Sequence, residues 1–403
     1  MGRKVVVVGA GQAGMSLASK LRALGHSGDI TLIGDEPHPP YQRPPLSKKY
    51  LMGEMDRERL YLKPESLYKD EAITLLTGEP VVEINRAARC VITEKRRLPY
   101  DVVALTTGSR PRHLPEAIGG ALEGVYTIRT LADIDRMNRE FAAGRKVLIV
   151  GGGYIGLEAA AVAASRQLDV TLIEMAPRIL NRVACAETAE VFRQLHRSNG
   201  VDVREGSGLE RLEGENNRVT RAVLSSGETL DVDFVIVGIG IAPEVALARA
   251  AGLEIENGIS VDTQCRTSDP AIFAAGDCAS FVFRGQRIRL ESVQNAIDQA
   301  EHAAAAIHGS TAPYEPVPWF WSDQYAARLQ IAGLNSGYDT IHRRAGSRAG
   351  AESIWYYQGD RFLAVDAISE PKAYMLGKRW LGAGISPDPA ALADPTVELK
   401  NLS

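Results

Sequence analysis

The chain has 403 residues, with 46 Lys and Arg against 50 Asp and Glu and a formal net charge of −4. This length allows about two or three domains, and the slightly acidic balance lacks the basic footprint of nucleic-acid-binding proteins. No apolar run approaches the roughly 18 residues that span a bilayer. The first predicted strand begins at Lys4, which leaves no room for a leader segment. We therefore expect a cytoplasmic protein without a membrane span or a nucleic-acid partner.

The first recognisable unit begins with VVVVGAGQAG at 5–14. Its β-branched run predicts a buried parallel strand, and the alanine-rich stretch after it predicts a helix. In chain order the unit comprises a strand at 4–8, the glycines Gly9, Gly11 and Gly14, a helix at 12–24, a strand at 29–33 and the acid Asp35.

The same arrangement occurs again from VLIVGGGYIG at 147–156. This copy comprises a strand at 146–150, the glycines Gly151, Gly153 and Gly156, a helix at 154–168, a strand at 170–173 and the acid Glu174. In G-x-G-x-x-G units the first glycine permits the tight turn, the second lets the backbone approach a pyrophosphate, and the third allows close helix packing. The helix N-terminus favours the phosphates, and the acid accepts hydrogen bonds from ribose hydroxyls. Two copies predict two dinucleotides, a flavin and a nicotinamide.

Four cysteines, Cys90, Cys185, Cys265 and Cys278, lie far apart without a C-x-x-C pair or a zinc-ligand spacing. Reduced thiols in a cytosolic protein are the expectation, and no metal site is predicted.

Further elements follow from short apolar runs and from a change of composition beyond Pro313. We expect strands at 102–105, 234–237 and 271–274 and helices at 185–198 and 293–308. After the segment PYEPVPWFW, the runs LQIAGL, SIWYYQG and RFLAVDAI predict antiparallel strands joined by tight turns.

Taken together, these motifs resemble those of two-dinucleotide-binding-domain flavoproteins. Within that superfamily the chain resembles the NADH-dependent ferredoxin reductases of bacterial oxygenase systems, of the putidaredoxin reductase type, over essentially its whole length. Besides the glycine motifs, the resemblance rests on PYQRPPLSKKYL at 40–51, TTGSRP at 106–111, IRTLAD at 128–133, GIGIAP at 238–243, TSDPAIFAAGDCA at 267–279, ESVQNA at 291–296 and PWFWSDQY at 318–325.

The resemblance implies an α/β fold with two Rossmann-like dinucleotide-binding domains and a C-terminal α+β domain with an antiparallel sheet. The expected domains are a discontinuous FAD-binding domain at 1–110 and 242–316, an NAD-binding domain at 111–241 and a C-terminal interface domain at 317–403.

The resemblance also implies which residues contact noncovalently bound FAD: Gly9, Gly11, Ala13, Gly14, Asp35, Lys48, Val81, Arg129, Asp277, Val293 and Trp319. Asp277 is independently expected at a strand-to-helix junction, either to accept from the ribityl chain or to cap the helix. Arg129 would supply a cation for the pyrophosphate, with surface charge as the alternative. Trp319 would lie against the flavin edge, with ordinary packing at a domain junction as the alternative.

The segment 40–51 lacks the redox cysteine that disulfide reductases and coenzyme A-linked relatives carry beside the flavin. Electrons would therefore leave to an external carrier. The resemblance places Lys48 beside the isoalloxazine, where a cation stabilises the electron-rich reduced ring. It places Glu158 facing the nicotinamide, where it can pair with Lys48, and a merely exposed helix acid is the alternative.

NAD(H) is expected to contact Gly151, Gly153, Ile155, Gly156, Glu174, Arg182 and Gly240. A carboxylate at Glu174 accepts from a ribose 2′-hydroxyl and repels a 2′-phosphate, so NADH is favoured. Arg178 and Arg182 lie nearby in the sequence, so NADPH stays open as an alternative nucleotide.

The implied activity is FAD-dependent NADH:ferredoxin oxidoreductase, with a two-iron two-sulfur ferredoxin that feeds an oxygenase, in particular a haem monooxygenase. The basic stretches 342–348 and 372–379 are candidates for binding an acidic ferredoxin, with solvated faces as the alternative. Two other functions stay open. One is an NADH oxidoreductase of the same fold with a quinone, monodehydroascorbate or oxygen as electron acceptor, and the other is a redox-sensing protein that resembles apoptosis-inducing factor. We expect a monomer or weak dimer.

Overall fold

The computed structural model describes residues 2–402, which form two compact units built from alternating stretches of chain. Unit 1 contains residues 2–42, 56–110 and 241–316, and unit 2 contains residues 43–55, 111–240 and 317–402. The three-domain division stays a prediction, and its outermost residues, Met1 and Ser403, lie outside the described part of the chain.

Nine α-helices lie within residues 2–402: α1 (Gln12–Ala23), α2 (Glu65–Asp70), α3 (Leu131–Met137), α4 (Tyr154–Ser165), α5 (Ala186–Ser198), α6 (Ala246–Ala250), α7 (Val293–Ile307), α8 (Pro371–Ala383) and α9 (Pro389–Ala393). Short 3₁₀ turns occupy Pro44–Ser47, Arg57–Leu60, Glu116–Ile118, Asn138–Glu140 and Leu399–Asn401. None of the helices described has the length and apolar character needed to cross a bilayer.

The same residues contain 26 strands: β1 (Val5–Val8), β2 (Ile30–Ile33), β3 (Ile73–Leu76), β4 (Val81–Asn85), β5 (Cys90–Thr93), β6 (Arg97–Pro99), β7 (Val102–Leu105), β8 (Ser109–Pro111), β9 (Val125–Tyr126), β10 (Lys146–Val150), β11 (Asp169–Glu174), β12 (Asp202–Glu205), β13 (Leu209–Glu215), β14 (Arg218–Leu224), β15 (Thr229–Asp231), β16 (Phe234–Val237), β17 (Ile241–Pro243), β18 (Ile259–Ser260), β19 (Ile272–Ala274), β20 (Ala279–Phe283), β21 (Gln286–Ile288), β22 (Trp319–Gln324), β23 (Ala327–Gly333), β24 (Thr340–Ala345), β25 (Glu352–Gln358) and β26 (Arg361–Ile368).

Unit 1 is built on a parallel sheet in the order β19-β7-β1-β2-β3. Val5 of the central strand pairs with Ile30 on one side and Val102 on the other. All four valines of β1 are buried, as expected of a strand inside a parallel sheet. Two small sheets, β4-β5-β6 and β18-β20-β21, also belong to unit 1. The first predicted βαβ unit is therefore confirmed.

Unit 2 contains a second parallel sheet in the order β12-β11-β10-β16-β9 and a small antiparallel sheet, β13-β14-β15. Its C-terminal part is an antiparallel sheet in the order β22-β23-β26-β25-β24. Helix α8 packs closely on this sheet, since a Cβ at Gly377 would lie 2.5 Å from Val365 Cγ1. The rings of Trp355 and Trp380 lie 5.5 Å apart in the core beneath it. The predicted fold class is therefore confirmed.

Two of the helix ends that differ from the predicted ones have a local physical cause. Helix α5 begins after Cys185, because the Cys185 sulfur caps the helix by accepting from the Thr188 N–H at 3.5 Å. Helix α4 ends at Ser165, three residues before the predicted end, because Gln167 takes a positive φ of 62° that a helix cannot continue.

Candidate functional site

The first glycine motif forms the turn between β1 and α1. Gly9 has a φ of 114°, and a Cβ there would lie 2.2 Å from the Thr106 carbonyl oxygen. A Cβ at Gly14 would lie 2.1 Å from the Gly9 oxygen, whereas a Cβ at Gly11 would meet nothing within 4 Å. Packing thus requires the first and third glycines, and the second leaves its backbone open to a ligand. This arrangement fits a dinucleotide pyrophosphate.

A carboxylate lies free at the end of β2. Asp35 is exposed and forms no hydrogen bond or ion pair with other residues of the described chain. The neighbouring Glu36 is already engaged, since it accepts a hydrogen bond of 2.6 Å from the Tyr41 hydroxyl. Asp35 is therefore the acid available to ribose hydroxyls.

Asp277 lies in the turn between β19 and β20, so the predicted strand-to-helix junction at this residue is wrong. The chain turns directly into another strand, and Asp277 caps no helix; its carboxylate accepts from the Ser109 hydroxyl at 2.7 Å. At the preceding residue, a Cβ on Gly276 would lie 3.2 Å from the Ala13 Cβ. The structure thus brings this turn beside the start of α1.

Two further predicted FAD residues also lie in unit 1. Val293 is the first residue of α7, whose N-cap Ser292 accepts from the Asn295 N–H at 3.1 Å. Val81 begins β4 and is half-buried against the core of unit 1. Their flavin contacts stay predictions.

The second glycine motif repeats the geometry of the first between β10 and α4. A Cβ at Gly151, where φ is 111°, would lie 2.5 Å from the Gly238 oxygen, and one at Gly156 would lie 2.0 Å from the Gly151 oxygen. A Cβ at Gly153 would meet nothing within 4 Å. Ile155, one residue into α4, exposes 38% of its surface and is available for contact with a ligand.

Glu174 is held rigidly beside this loop. Its Oε2 accepts from the Gly152 N–H at 2.7 Å and its Oε1 from the Ala176 N–H at 2.8 Å. Both contacts leave lone pairs on the carboxylate, which can accept further hydrogen bonds. The end of β11 therefore carries a fixed negative charge next to the glycine turn.

The two arginines near Glu174 differ in availability. Arg178 is engaged by its own loop, where Nη2 donates to the Ala184 carbonyl at 2.7 Å. Arg182 is exposed, and its Nη2 would lie 3.5 Å from a Cβ at Gly240. Arg182 is thus the cation available to a bound phosphate.

Lys48 and Glu158 form a buried ion pair within unit 2, with 2.6 Å between Nζ and Oε2. Glu158 is 5% exposed and also accepts from the Ser47 hydroxyl at 2.7 Å and from the Ser322 hydroxyl at 2.7 Å. A buried carboxylate is stable only when paired and hydrogen-bonded in this way. The exposed-acid alternative for Glu158 is wrong, and the roles toward flavin and nicotinamide stay predictions.

Trp319 lies in an aromatic cluster on β22. Its ring centroid is 5.6 Å from that of Trp321, and Lys378 Nζ lies 4.7 Å above the ring. The buried indole N–H has no hydrogen-bond partner within residues 2–402. The flavin contact of Trp319 stays a prediction.

Arg129 belongs to unit 2 and is half-buried. Its carbonyl oxygen accepts a hydrogen bond of 2.7 Å from Arg43. Its predicted role toward the FAD pyrophosphate stays a prediction.

All four cysteines are free and buried. Burial raises the pKa of the Cys185, Cys265 and Cys278 thiols, which keeps them protonated near neutral pH. Since the thiolate is the reactive form, none of these three is suited to carry electrons through thiol chemistry. Within residues 2–402 no cluster of three or more His, Cys, Asp or Glu residues is arranged to hold a metal.

Two residues of the Glu158 site, Ser47 and Ser322, are not among the predicted site residues. Ser47 precedes Lys48 directly, so its proximity follows from the chain. Ser322 lies 164 positions from Glu158, and no sequence pattern indicates that a serine between a tryptophan and an aspartate points inward.

A second buried carboxylate, Asp366 on β26, lies elsewhere in unit 2. Its Oδ2 accepts from the Thr188 hydroxyl at 2.7 Å and from the Tyr356 hydroxyl. No cation among residues 2–402 pairs with it, so burial raises its pKa from 3.8 to about 6 despite the two hydrogen bonds.

The Asp366 carboxyl should make stability fall as pH rises. The native state binds this proton more tightly than the unfolded chain, so native stability is lost between about pH 4 and pH 6, by on the order of 2–3 kcal/mol. The apparent Tm of Asp366→Asn minus that of wild type should therefore increase as pH rises from 5 to 8. Asp360→Asn, at an exposed position, is the control, and its difference from wild type should not change with pH. A pH-independent difference in Tm would refute this.

Comparison with known proteins places this geometry in a family. A model described as pyridine nucleotide-disulphide oxidoreductase matches residues 3–300, and one described as reductase C-terminal matches residues 319–403. Rhodocoxin reductase from Rhodococcus erythropolis is 41% identical over 98% of this chain and 93% of its own length.

Two solved structures are similar across the whole chain. One is the covalent putidaredoxin reductase–putidaredoxin complex, with 41% identity, a TM-score of 0.95 and coverage of 99% of this chain and 97% of that one. The other is the ferredoxin reductase for the CYP199A2 system from Rhodopseudomonas palustris, with 38% identity, a TM-score of 0.96 and 99% coverage of both chains. The expected resemblance is confirmed. The chain belongs to the pyridine nucleotide-disulphide oxidoreductase family and is an FAD- and NAD(H)-dependent oxidoreductase.

Proposed function

We propose that the enzyme passes electrons from NADH through FAD to a two-iron two-sulfur ferredoxin, which supplies an oxygenase, in particular a haem monooxygenase. The observation that carries this proposal is the full-length similarity to a reductase solved in a covalent complex with putidaredoxin. The similarity to the ferredoxin reductase for the CYP199A2 system supports it.

The residues of the chain fit both cofactors. Gly11 and Gly153 expose backbone at the two helix N-termini, where phosphates bind well. Asp35 and Glu174 offer carboxylates to the two riboses. When bound, FAD would supply the chemistry that accepts two electrons as a hydride and releases them one at a time. The chain supplies binding, orientation and charge.

In this mechanism the Lys48 ammonium would supply fixed positive charge to the ring of bound FAD. Two hydroxyl donors, Ser47 and Ser322, hold Glu158 in place, and Glu158 in turn holds Lys48 at 2.6 Å. A preorganised charge stabilises developing negative charge without reorganisation during the reaction. We assign Lys48 and Glu158 the catalytic roles on this basis.

Electrons leave the protein without a thiol step in this proposal, so the ferredoxin must dock. Of the two basic stretches, the first is largely engaged within the chain. Arg343 pairs with Glu352 at 2.8 Å, and Arg344 donates to the Val397 carbonyl at 2.6 Å. On α8, Lys372 and Arg379 are exposed. We therefore favour α8 over β24 for binding an acidic ferredoxin.

We further propose the three domains named above, a cytoplasmic location, and a monomer or weak dimer. Four reduced, buried cysteines fit a reducing compartment.

NADH preference should depend on Glu174. Replacement by alanine removes the charge that repels a 2′-phosphate, so the NADH/NADPH ratio of kcat/KM should fall about tenfold or more, equivalent to roughly 1.4 kcal/mol. Steady-state kinetics with both nucleotides measure this. Glu210→Ala, which removes an exposed carboxylate of unit 2, is the charge-matched control. An unchanged ratio would mean that selectivity lies elsewhere.

A comparison of acceptors tests the function itself. The enzyme is reduced anaerobically with NADH and mixed with a ferredoxin, a quinone, monodehydroascorbate or oxygen. We expect the ferredoxin to be reduced with the highest kcat/KM. A faster reaction with another acceptor would replace the proposal by that activity, and fast flavin reduction with slow transfer to every acceptor would favour a redox sensor.

A further inference from the structure

A buried chain of polar side chains extends from Glu158 into unit 2. The Ser322 hydroxyl donates to Glu158 Oε1 at 2.7 Å, and Gln324 Nε2 donates to Ser322 Oγ at 3.2 Å. His196 Nε2 lies 2.8 Å from Gln324 Oε1. At the outer end, the Tyr325 hydroxyl lies 3.4 Å from His196 Nδ1. Four side chains thus connect the ion pair to the turn after β22.

Every hydrogen bond in this chain is donated toward Glu158. A carboxylate only accepts, so the Ser322 proton must point at it, and the Ser322 oxygen then accepts from the Gln324 amide. The Gln324 oxygen faces His196 and requires a donor there. Burial lowers the pKa of His196, so the ring is neutral near pH 7 and carries its proton on Nε2.

Burial strengthens these directed hydrogen bonds. Ser322, Gln324 and His196 are each 0% exposed, so water does not compete for their hydrogen bonds, which are stronger in a low dielectric. Tyr325 takes a φ of 53°, a conformation that is rare for a bulky residue, and its ring lies 5.2 Å from the imidazole. Strain of this kind persists where the surrounding structure enforces it.

We infer that Ser322, Gln324 and His196 are positioning residues that hold the Glu158 carboxylate fixed against Lys48. The inference rests on the proposed function, in which this ion pair lies at the reacting cofactors. Titratable groups near Glu158 include Lys48 itself and Tyr154 on the first turn of α4. Lys48 is the cation of this set, and the Ser47 and Ser322 hydroxyls donate the further hydrogen bonds that fix the orientation of the carboxylate.

One consequence is coupling along the chain. Glu158→Gln replaces an obligate acceptor with a group that can also donate, so the direction of the hydrogen bonds is no longer imposed. The His196 tautomer should respond. Nitrogen-15 NMR of histidine-labelled protein, with His196 assigned by His196→Phe, should show the Nε2–H tautomer in wild type and a mixture or the Nδ1–H form in Glu158→Gln. An unchanged spectrum would overturn the inference.

A second consequence concerns the rate of flavin reduction by NADH. In Ser322→Ala one donor to Glu158 is lost, so the carboxylate is held less firmly against Lys48 and this rate should fall about tenfold. Ser322→Thr retains the hydroxyl and should restore the rate. An equal decrease in both variants would assign the effect to packing and contradict the inference.

If Ser322→Ala does not fold, Gln324→Leu provides the same test, because it breaks the chain of hydrogen bonds one step further out. We expect a smaller decrease in the rate of flavin reduction, and an unchanged rate would contradict the inference. The histidine spectra require no ferredoxin. Failure to reduce ferredoxin would therefore refute the proposed function alone, and unresponsive spectra would refute the positioning chain alone.

Discussion

Replacing Lys48 with methionine is expected to slow flavin reduction by NADH about a hundredfold or more. The substitution removes the positive charge assigned to the reacting centre, and loss of one such preorganised group typically lowers rates by about 10²–10³. It also leaves Glu158, 5% exposed, without its counter-ion. Anaerobic stopped flow under single-turnover conditions measures the effect directly.

The neighbouring lysine offers a matched control. Lys49 is exposed and has no partner among the described residues, so Lys49→Met should reduce the flavin at the wild-type rate. Lys48→Arg retains the charge and should recover part of the rate. If Lys48→Met reacts as fast as Lys49→Met, the catalytic assignment of Lys48 is wrong.

Alanine at the second glycine of each motif should separate the two nucleotide sites. Gly11→Ala places a methyl group where the protein itself offers no contact within 4 Å, so the fold should persist while the affinity for FAD falls about tenfold or more, equivalent to roughly 1.4 kcal/mol. Gly153→Ala should keep FAD and raise the KM for NADH by a similar factor. The flavin content of purified protein and steady-state kinetics report the two effects.

Two further variants calibrate this experiment. Gly382→Ala on α8 places its Cβ 3.5 Å from Val317 Cγ2, an ordinary contact, and should change neither site. Gly14→Ala would place a Cβ 2.1 Å from the Gly9 carbonyl oxygen and should disturb the turn itself. Full FAD content and affinity in Gly11→Ala would show that the pyrophosphate does not approach this loop.

The nucleotide-binding framework could be predicted because its signals are local. Four consecutive valines before Gly9 indicate a strand buried on both faces, and the glycine spacing defines the turn that follows. Strands β7 and β16 lie at the predicted residues, since short apolar runs that lead into a glycine-bearing turn leave little choice of boundary. Close approach of backbone, as at Gly156, is a property of the motif itself.

The environment of Glu158 could not be predicted because its contacts come from distant segments. Ser322 and Gln324 alternate with partly exposed residues along β22, a pattern that is normally taken as a solvent-facing side. In the structure these two residues face inward. Likewise, nothing local distinguishes Arg344, which binds backbone carbonyls, from the exposed Arg379.

The most direct test of electron transfer from NADH to a ferredoxin without a protein thiol uses a cysteine-free enzyme. Cys90, Cys185, Cys265 and Cys278 are replaced by serine or alanine, FAD content is verified, and ferredoxin reduction by limiting NADH is followed optically under anaerobic conditions. Because NADH carries two electrons and this ferredoxin accepts one, the account predicts two ferredoxins reduced per NADH, at a rate close to wild type. A variant that retains FAD and oxidises NADH but cannot reduce ferredoxin would contradict it.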